Sequence, residues 1–315
     1  MATSLDLKRR IKSVSNTRKI TKAMELVSAS KMRKAVRNVI ATRDYANMAW
    51  TTIVNISQKT ESKNHPLLEK RPVKKVALLL ISSNRGLCGG FNANIAQKAI
   101  DSIRKHEKNV QQTEIITLGK KGRDSLIRSK FTIAADFKKE DLITSIMEIS
   151  SIAHMLIEGY RRKEYDKVMV AYTDFVSSLN QIPRVKQLLP IDIESDEEYL
   201  GVVGKSSFIG TDKGFVDEKI KKQLSKKGFE YDYTFEPSAG KVLEEMLPRL
   251  IEMQIYQAVL ESDAAEHSSR MVSMKNASDS AKDMISDLTL IYNRVRQAGI
   301  TREISEISAG KAALE

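Results

Sequence analysis

The chain has 315 residues, 41% of them hydrophobic and 29% charged, with a formal net charge of +12. That length suits one large domain or two ordinary ones, and no apolar run approaches the roughly 18–20 residues that span a bilayer. A single cysteine, Cys88, and four scattered histidines (His65, His106, His154, His267) exclude a disulfide framework and a cysteine-rich metal site within the chain.

The first predicted element is a long basic helix. Between Met1 and Arg43 stand twelve Lys and Arg against Asp6 and Glu25, so this segment carries twelve minus two, or +10, of the net charge. Such a stripe implies an acidic partner: nucleic acid, anionic lipid or an acidic protein surface. An apolar signal core is missing and the helical pattern starts almost at once, so neither a secretory signal nor a transit peptide is expected. The first proline is Pro66 and the first glycine Gly86, which leaves a long stretch without helix breakers. Its seam is expected at Leu7, Ile11 and Val14, then at a shifted offset through Ile20, Met24 and Val27. Met32, Ala35, Val39, Ala46, Ala49, Ile53 and Ile56 restore the first offset. Only Tyr45 and Trp50 supply aromatics here, so stacking on single-stranded nucleic acid is not expected. Binding of duplex phosphates stays open on charge alone.

The middle alternates strands and helices. Strands are expected at Val73–Ser82, Glu114–Leu118 and Lys167–Phe175, with a short one near Phe131–Ala134. Helices are expected at Phe91–Glu107, Lys120–Arg128 and Lys139–Tyr160. This order suggests βαβ units on a parallel sheet. The turn from Ser83 to Phe91 lies where a phosphate-binding loop would sit. Its glycines, Gly86, Gly89 and Gly90, fall as G-x-x-G-G, which matches neither the dinucleotide fingerprint nor a Walker A loop. Gly119-Lys120-Lys121-Gly122 fails the same test. A tight strand-to-helix turn is the expected role, with Cys88 as a small packed residue. No nucleophile, base and orienting group assemble into a catalytic set.

From Asp192 to Lys227 the chain turns polar, with a short amphipathic stretch at Val216, Ile220 and Leu224. After Pro248 no proline or glycine appears until Gly299. Within that stretch Met274, Ala277, Ala281, Met284, Leu288, Ile291, Val295 and Ala298 alternate at spacings of three and four, a heptad pattern that predicts a coiled coil.

Both ends and the central turn resemble one family. Ile11-Lys12-Ser13-Val14-Ser15-Asn16-Thr17-Arg18-Lys19-Ile20-Thr21-Lys22-Ala23-Met24-Glu25 and Ser30-Lys31-Met32-Arg33-Lys34-Ala35 are similar to the opening helix of the γ subunits of F-type ATP synthases. Arg85-Gly86-Leu87-Cys88-Gly89-Gly90-Phe91-Asn92 resembles their central motif. Arg270 to Ala277 and Ile300 to Ile307 resemble their closing helix. The resemblance implies an α/β fold class: a long antiparallel coiled coil of the two terminal helices plus a central Rossmann-like α/β domain. The corresponding boundaries are a helix over 1–65, an α/β domain over 66–192, an inserted segment over 193–230 and a helix over 231–315.

The resemblance also implies a non-catalytic rotor that couples transmembrane ion flow to ATP synthesis and hydrolysis on β subunits. The implied partners are the α and β subunits, the ε subunit and the membrane c-ring, with no nucleic acid, cofactor or metal. The implied location is peripheral, on the cytoplasmic face of a bacterial cell membrane. By motif position Met24, Lys31, Arg33, Lys34, Arg296, Gln297 and Thr301 would contact β, while Ile300, Ile304, Ile307 and Leu314 would turn in an apolar sleeve. Three features depart from the family pattern. Asn84 stands where Asp is usual, Ser308-Ala309-Gly310 replaces a more typical Val-Ser-Gly, and the Asp192–Lys227 segment is longer than in common bacterial members. On the residues alone two other readings stay open: a basic coiled-coil protein on nucleic acid, and a nucleotide-binding enzyme built on the α/β middle.

Overall fold

The computed structural model describes residues 4–59, 65–106, 112–143, 145–191, 236 and 238–312. The Asp192–Lys227 segment, its expected small helix and Leu314 lie outside the described residues, as do the side chains of Ala46, Ile53 and Ile56. Among the described residues ten elements follow in order: α1 (Ser4–Lys59), β1 (Lys75–Ile81), α2 (Phe91–His106), β2 (Gln112–Leu118), α3 (Lys120–Arg128), β3 (Ile133–Phe137), α4 (Met147–Arg161), β4 (Lys167–Phe175), β5 (Gln181–Leu189) and α5 (Ala239–Ala312). The chain divides into two compact units, Ser30–Ser269 and Met1–Ala29 with Arg270–Glu315.

The larger unit is built on a five-stranded sheet of order β3-β2-β1-β4-β5. Four strands are parallel and β5 runs antiparallel to β4. The apolar run from Val76 to Ile81 is buried on both faces, as a central parallel strand requires. Alternate residues face opposite layers. Leu78, Leu80 and Ile115 meet Ile95, Ala99 and Ile103 of α2 and Leu126 of α3. Ala77, Leu79, Ile81 and Ile116 share the opposite core with Ile149, Ile152 and Leu156 of α4 and Leu247, Ile251 and Ile255 of α5.

Most central elements fall close to their expected bounds, and three differences have physical causes. α4 begins at Met147 rather than Lys139, because Lys139 is drawn into the interior by ionic partners. The true start signal is a capping-box pair: the Ser145 amide donates to Glu148 Oε1 at 3.0 Å, and Ser145 Oγ accepts from the Met147 amide at 3.3 Å. Strand β5 was not expected, since its apolar residues, Ile182, Val185, Leu188 and Leu189, do not alternate regularly and Pro183 interrupts them. It lies at the sheet edge, where a missing amide donor is tolerated. Finally, α5 is 74 residues long and runs straight through Pro248, where buried Leu247, Leu250 and Ile251 hold the backbone in place.

The smaller unit packs the first part of α1 with the last part of α5, and its seam corrects the expected one. On α1 the inward positions keep a single register: Leu7, Thr21 and Ser28 are buried and Val14 half-buried at seven-residue intervals. No offset shift occurs, and Ile20 and Val27 are 61% and 55% exposed. The polar residues fit because they are small or satisfied. Thr21 Oγ1 donates back to the Arg18 carbonyl at 3.0 Å, and half-buried Glu25 is paired with Lys22 at 3.0 Å. On α5 the positions Met274, Ala281, Leu288 and Val295 do face inward. Their alternates are Ser278, Ile285 and Tyr292, four residues on, rather than Met284 and Ile291, while expected Ala277 is half-buried. Met284 and Ile291 are exposed. Hydropathy thus misleads where a close helix pair takes small hydroxyl residues inside and leaves larger apolar ones out.

Candidate functional site

In an open α/β sheet, ligands bind beyond the carboxyl ends of the strands, where the strand order reverses. Here that point lies between β1 and β4. The turn after β1 is closed on itself: the Ser83 amide donates to Asn92 Oδ1 at 3.0 Å, and Asn92 Nδ2 reaches Cys88 Sγ at 3.1 Å. Leu87 and Gly89 both take positive φ, 63° and 54°, to make the bend. The first amides of α3 are also taken by the chain. Lys120 N donates to Asn84 Oδ1 at 3.3 Å, Lys121 N to the Ser83 carbonyl at 2.9 Å, and Gly122 N to Ser82 Oγ at 2.9 Å. Glycine is required at position 122 by this close approach, since a Cβ there would lie 2.6 Å from Ser82 Oγ. Gly119, at φ 107°, would press a side chain into the Ser82 carbonyl. The Ser83 amide and the first three amides of α3 are therefore committed to internal hydrogen bonds.

The crevice itself is filled by α5. Ala265 packs with Cys88 and Phe91, with Phe175 at the margin. Around it, polar residues of α5 hold strand β4 and the neighbouring loops. Ser262 Oγ accepts from the Thr173 amide at 3.2 Å, Ser268 Oγ donates to the Ser178 carbonyl at 2.9 Å, and Ser269 Oγ donates to the Cys88 carbonyl at 2.6 Å. His267 Nε2 lies 3.0 Å from the Asp141 carbonyl. At the centre, buried Lys139 places its ammonium 2.6 Å from Asp263 Oδ1 and 2.8 Å from Glu266 Oε2. The Ile143 amide holds the other Asp263 oxygen at 3.1 Å. Two carboxylates thus share one ammonium. Burial alone would lower the Lys139 pKa, but Asp263 and Glu266 outweigh it and the group is held protonated. Burial pushes Asp263 up to about 6; the Lys139 charge opposes this and the Glu266 charge adds to it.

A model of the ATP synthase family matches residues 3–314. The chain is 41% identical over 317 residues to the ATP synthase gamma chain of Chloroflexus aurantiacus, covering 100% of this chain and 99% of the relative. It is 38% identical over 315 residues to that of Desulforamulus reducens, covering both chains in full. The chain belongs to the ATP synthase gamma chain family. Its role is that of the γ rotor subunit, which is not itself catalytic. Two solved structures share the fold. One is the central stalk and c-ring of the Tetrahymena thermophila mitochondrial ATP synthase, with TM-score 0.56, 22% identity and coverage of 82% of this chain and 99% of that one. The other is the OSCP/F1/c-ring of the Euglena gracilis mitochondrial enzyme, with TM-score 0.62, 17% identity and coverage of 99% and 94%. Among the described residues no helix is long and apolar enough to cross a membrane.

The γ-chain residues expected to contact a partner divide between the two units. Met24, Arg296, Gln297 and Thr301 belong to the smaller unit, where Met24 is half-buried and the other three are exposed. Lys31, Arg33 and Lys34 belong to the larger, where Arg33 and Lys34 are exposed. Lys31 is bound within the chain: its ammonium lies 3.1 Å from Asp141 Oδ2, with Arg85 3.7 Å from the same oxygen. The Lys31 hydrogen bond, reinforced by its charge and that of Arg85, holds the Asp141 carboxyl below its ordinary range despite partial burial. Asn84, the departure from Asp, donates through Nδ2 to the Lys139 carbonyl. A carboxylate there would have no proton to give. The Lys139 cluster escaped sequence reading because its members are far apart in the chain and look like ordinary surface charges. The one available signal was Asp263 and Glu266 at i,i+3 in a stretch otherwise rich in Ala and Ser.

Proposed function

We propose that the chain is the central rotor shaft of a bacterial F1 sector, coupling ion flow through a membrane ring to ATP synthesis and hydrolysis on β subunits. Its partners in this reading are the α and β subunits, the ε subunit and the c-ring, and it lies peripherally at the cytoplasmic face of the cell membrane. The observation that carries the reading is the last part of α5. Every residue from Arg296 to Ala309 is exposed, and Ile300, Ile304 and Ile307, at 48%, 58% and 73% exposure, form one uncovered apolar stripe. Such a stripe calls for a surrounding sleeve supplied by other subunits. Arg296, Gln297 and Thr301 make polar contacts with β, while Met24, Lys31, Arg33 and Lys34 face acidic surface of β. The exposed charges suit contacts that exchange at each step, because surface ion pairs are worth only about 0–1 kcal/mol.

Co-expression with α and β subunits of a bacterial relative tests this. The expected result is a stable complex that hydrolyses ATP, and its loss when residues from 296 onward are removed. A chain that fails to join α and β but shifts duplex DNA at physiological salt would replace this reading with the nucleic-acid one.

A further inference from the structure

We propose that the buried cluster of Lys139, Asp263 and Glu266 is a rotational and axial lock: the point at which α5 is fixed in register to the α/β body, so that torque enters the helix there. This inference rests on the rotor reading above.

Stability does not explain the cluster. A buried ion group gives little or no net stability compared with apolar side chains of the same volume. What it does supply is a discrete geometry. Lys139 stands on the loop after β3, with its ammonium 2.6 Å from Asp263 and 2.8 Å from Glu266 on α5. Its carbonyl is held by Asn84, and it stands two residues beyond the end of edge strand β3. Advancing α5 by one residue shifts it about 1.5 Å and turns it about 100°. Either movement takes both carboxylates off the ammonium and leaves three buried charges unpaired, which is strongly unfavourable. An apolar contact such as Ala265 against Cys88 has no such specificity and could slide. Four side-chain contacts on the same two turns, from Ser262 to strand β4 and from His267, Ser268 and Ser269 to three separate loops, brace the lock on both sides. The helix then continues without interruption to Ala312. A turn imposed on residues 262–269 is delivered along it.

The test uses the complete complex with its membrane sector in sealed vesicles, carrying Lys139→Met, Asp263→Leu and Glu266→Met together. ATP hydrolysis of the detached complex and its melting temperature should stay close to native. Ions pumped per ATP hydrolysed should fall about two- to thirtyfold, the range by which disturbing one element of a coupling network changes coupling. Lys139→Arg, which keeps the charge and can bridge both carboxylates, should pump as the native complex does. A triple variant with native pumping per ATP overturns the proposal. If the triple variant does not assemble, Glu266→Gln decides, because it keeps the volume and removes one charge: a lowered pumping ratio supports the lock, and an unchanged one overturns it. A native chain that fails to assemble with α and β would overturn the rotor reading, and the lock with it.

Discussion

Along one continuous helix, two stretches of α5 are treated in opposite ways. From Gln254 to Ser268 every residue is buried, and the interior face includes Glu261, Asp263, Glu266 and His267. From Arg296 to Ala309 every residue is exposed, and isoleucines stand in solvent. The ordinary distribution of charge outside and hydrocarbon inside is inverted at both places. Buried polar and exposed apolar residues are the informative ones, and each inversion has its own explanation. The buried charges set the register of the helix against its own sheet. In the function proposed above, the exposed isoleucines are a surface for other subunits.

The largest effect expected on this contrast comes from breaking the buried cluster on one side only. Lys139→Met leaves Asp263 and Glu266 buried without their cation and should cost about 3–5 kcal/mol in denaturant unfolding. Replacing all three with apolar residues should restore most of that loss. The seam of the smaller unit is next. Ala281→Leu forces extra volume into a close helix contact and should cost about 1–3 kcal/mol. Met284→Ala, three residues along on the exposed face, should change stability by less than about 0.5 kcal/mol. Equal effects at the two positions would mean that the seam uses the other heptad offset.

Acidity separates the regions in sign. Asp263 titrates near 6 in the fold, above its ordinary 3.8. An acid with a raised folded pKa binds its proton more tightly when folded, so its contribution falls as pH rises through about 4 to 6. Asp141 and Asp166 are shifted the other way. Lys31 lowers Asp141, while the Lys75 and Lys74 amides outweigh burial at Asp166. Their contribution is present above the ordinary carboxylate pKa and is lost as pH falls through their lower folded values. Thermal melts against pH should therefore show Asp263→Asn flattening the slope between about pH 4 and 6, with Asp141→Asn acting only below it.

The smallest single effects belong to the basic patch. The Lys31–Asp141 pair is partly exposed at both ends, so Lys31→Ala should cost about 0–1 kcal/mol and barely change ATP hydrolysis by the assembled complex. Reversing Lys31, Arg33 and Lys34 together to Glu should slow turnover, with partial recovery at high ionic strength. Turnover indistinguishable from native would make these residues a solvated face.

The sequence made the strands of the α/β body legible where apolar residues ran unbroken, as at Val76–Ile81. Its two long helices were visible through the absence of breakers. The coiled-coil seam was legible only in part. Met274, Ala281, Leu288 and Val295 follow hydropathy, whereas Thr21, Ser28 and Ser278 enter the seam by size. β5 was hidden because its apolar residues do not alternate regularly and an edge strand can carry Pro183. The Lys139 cluster was hidden because burial of a charge depends on partners more than one hundred residues away, which no local pattern records. The contact residues came from resemblance alone, since exposed Arg296, Gln297 and Thr301 have no feature that separates them from neighbouring surface positions.

The central claim, that this chain turns as a shaft while other subunits do the chemistry, can be watched directly. An α and β complex built around the chain is fixed to a surface, and a bead is attached to a cysteine introduced at Ile127, an exposed position on α3, in a Cys88→Ser background. With ATP supplied, the bead should rotate in one direction in discrete steps, and the purified chain alone should neither bind nor hydrolyse ATP. A complex that hydrolyses ATP at the native rate while the bead stays still would contradict the account.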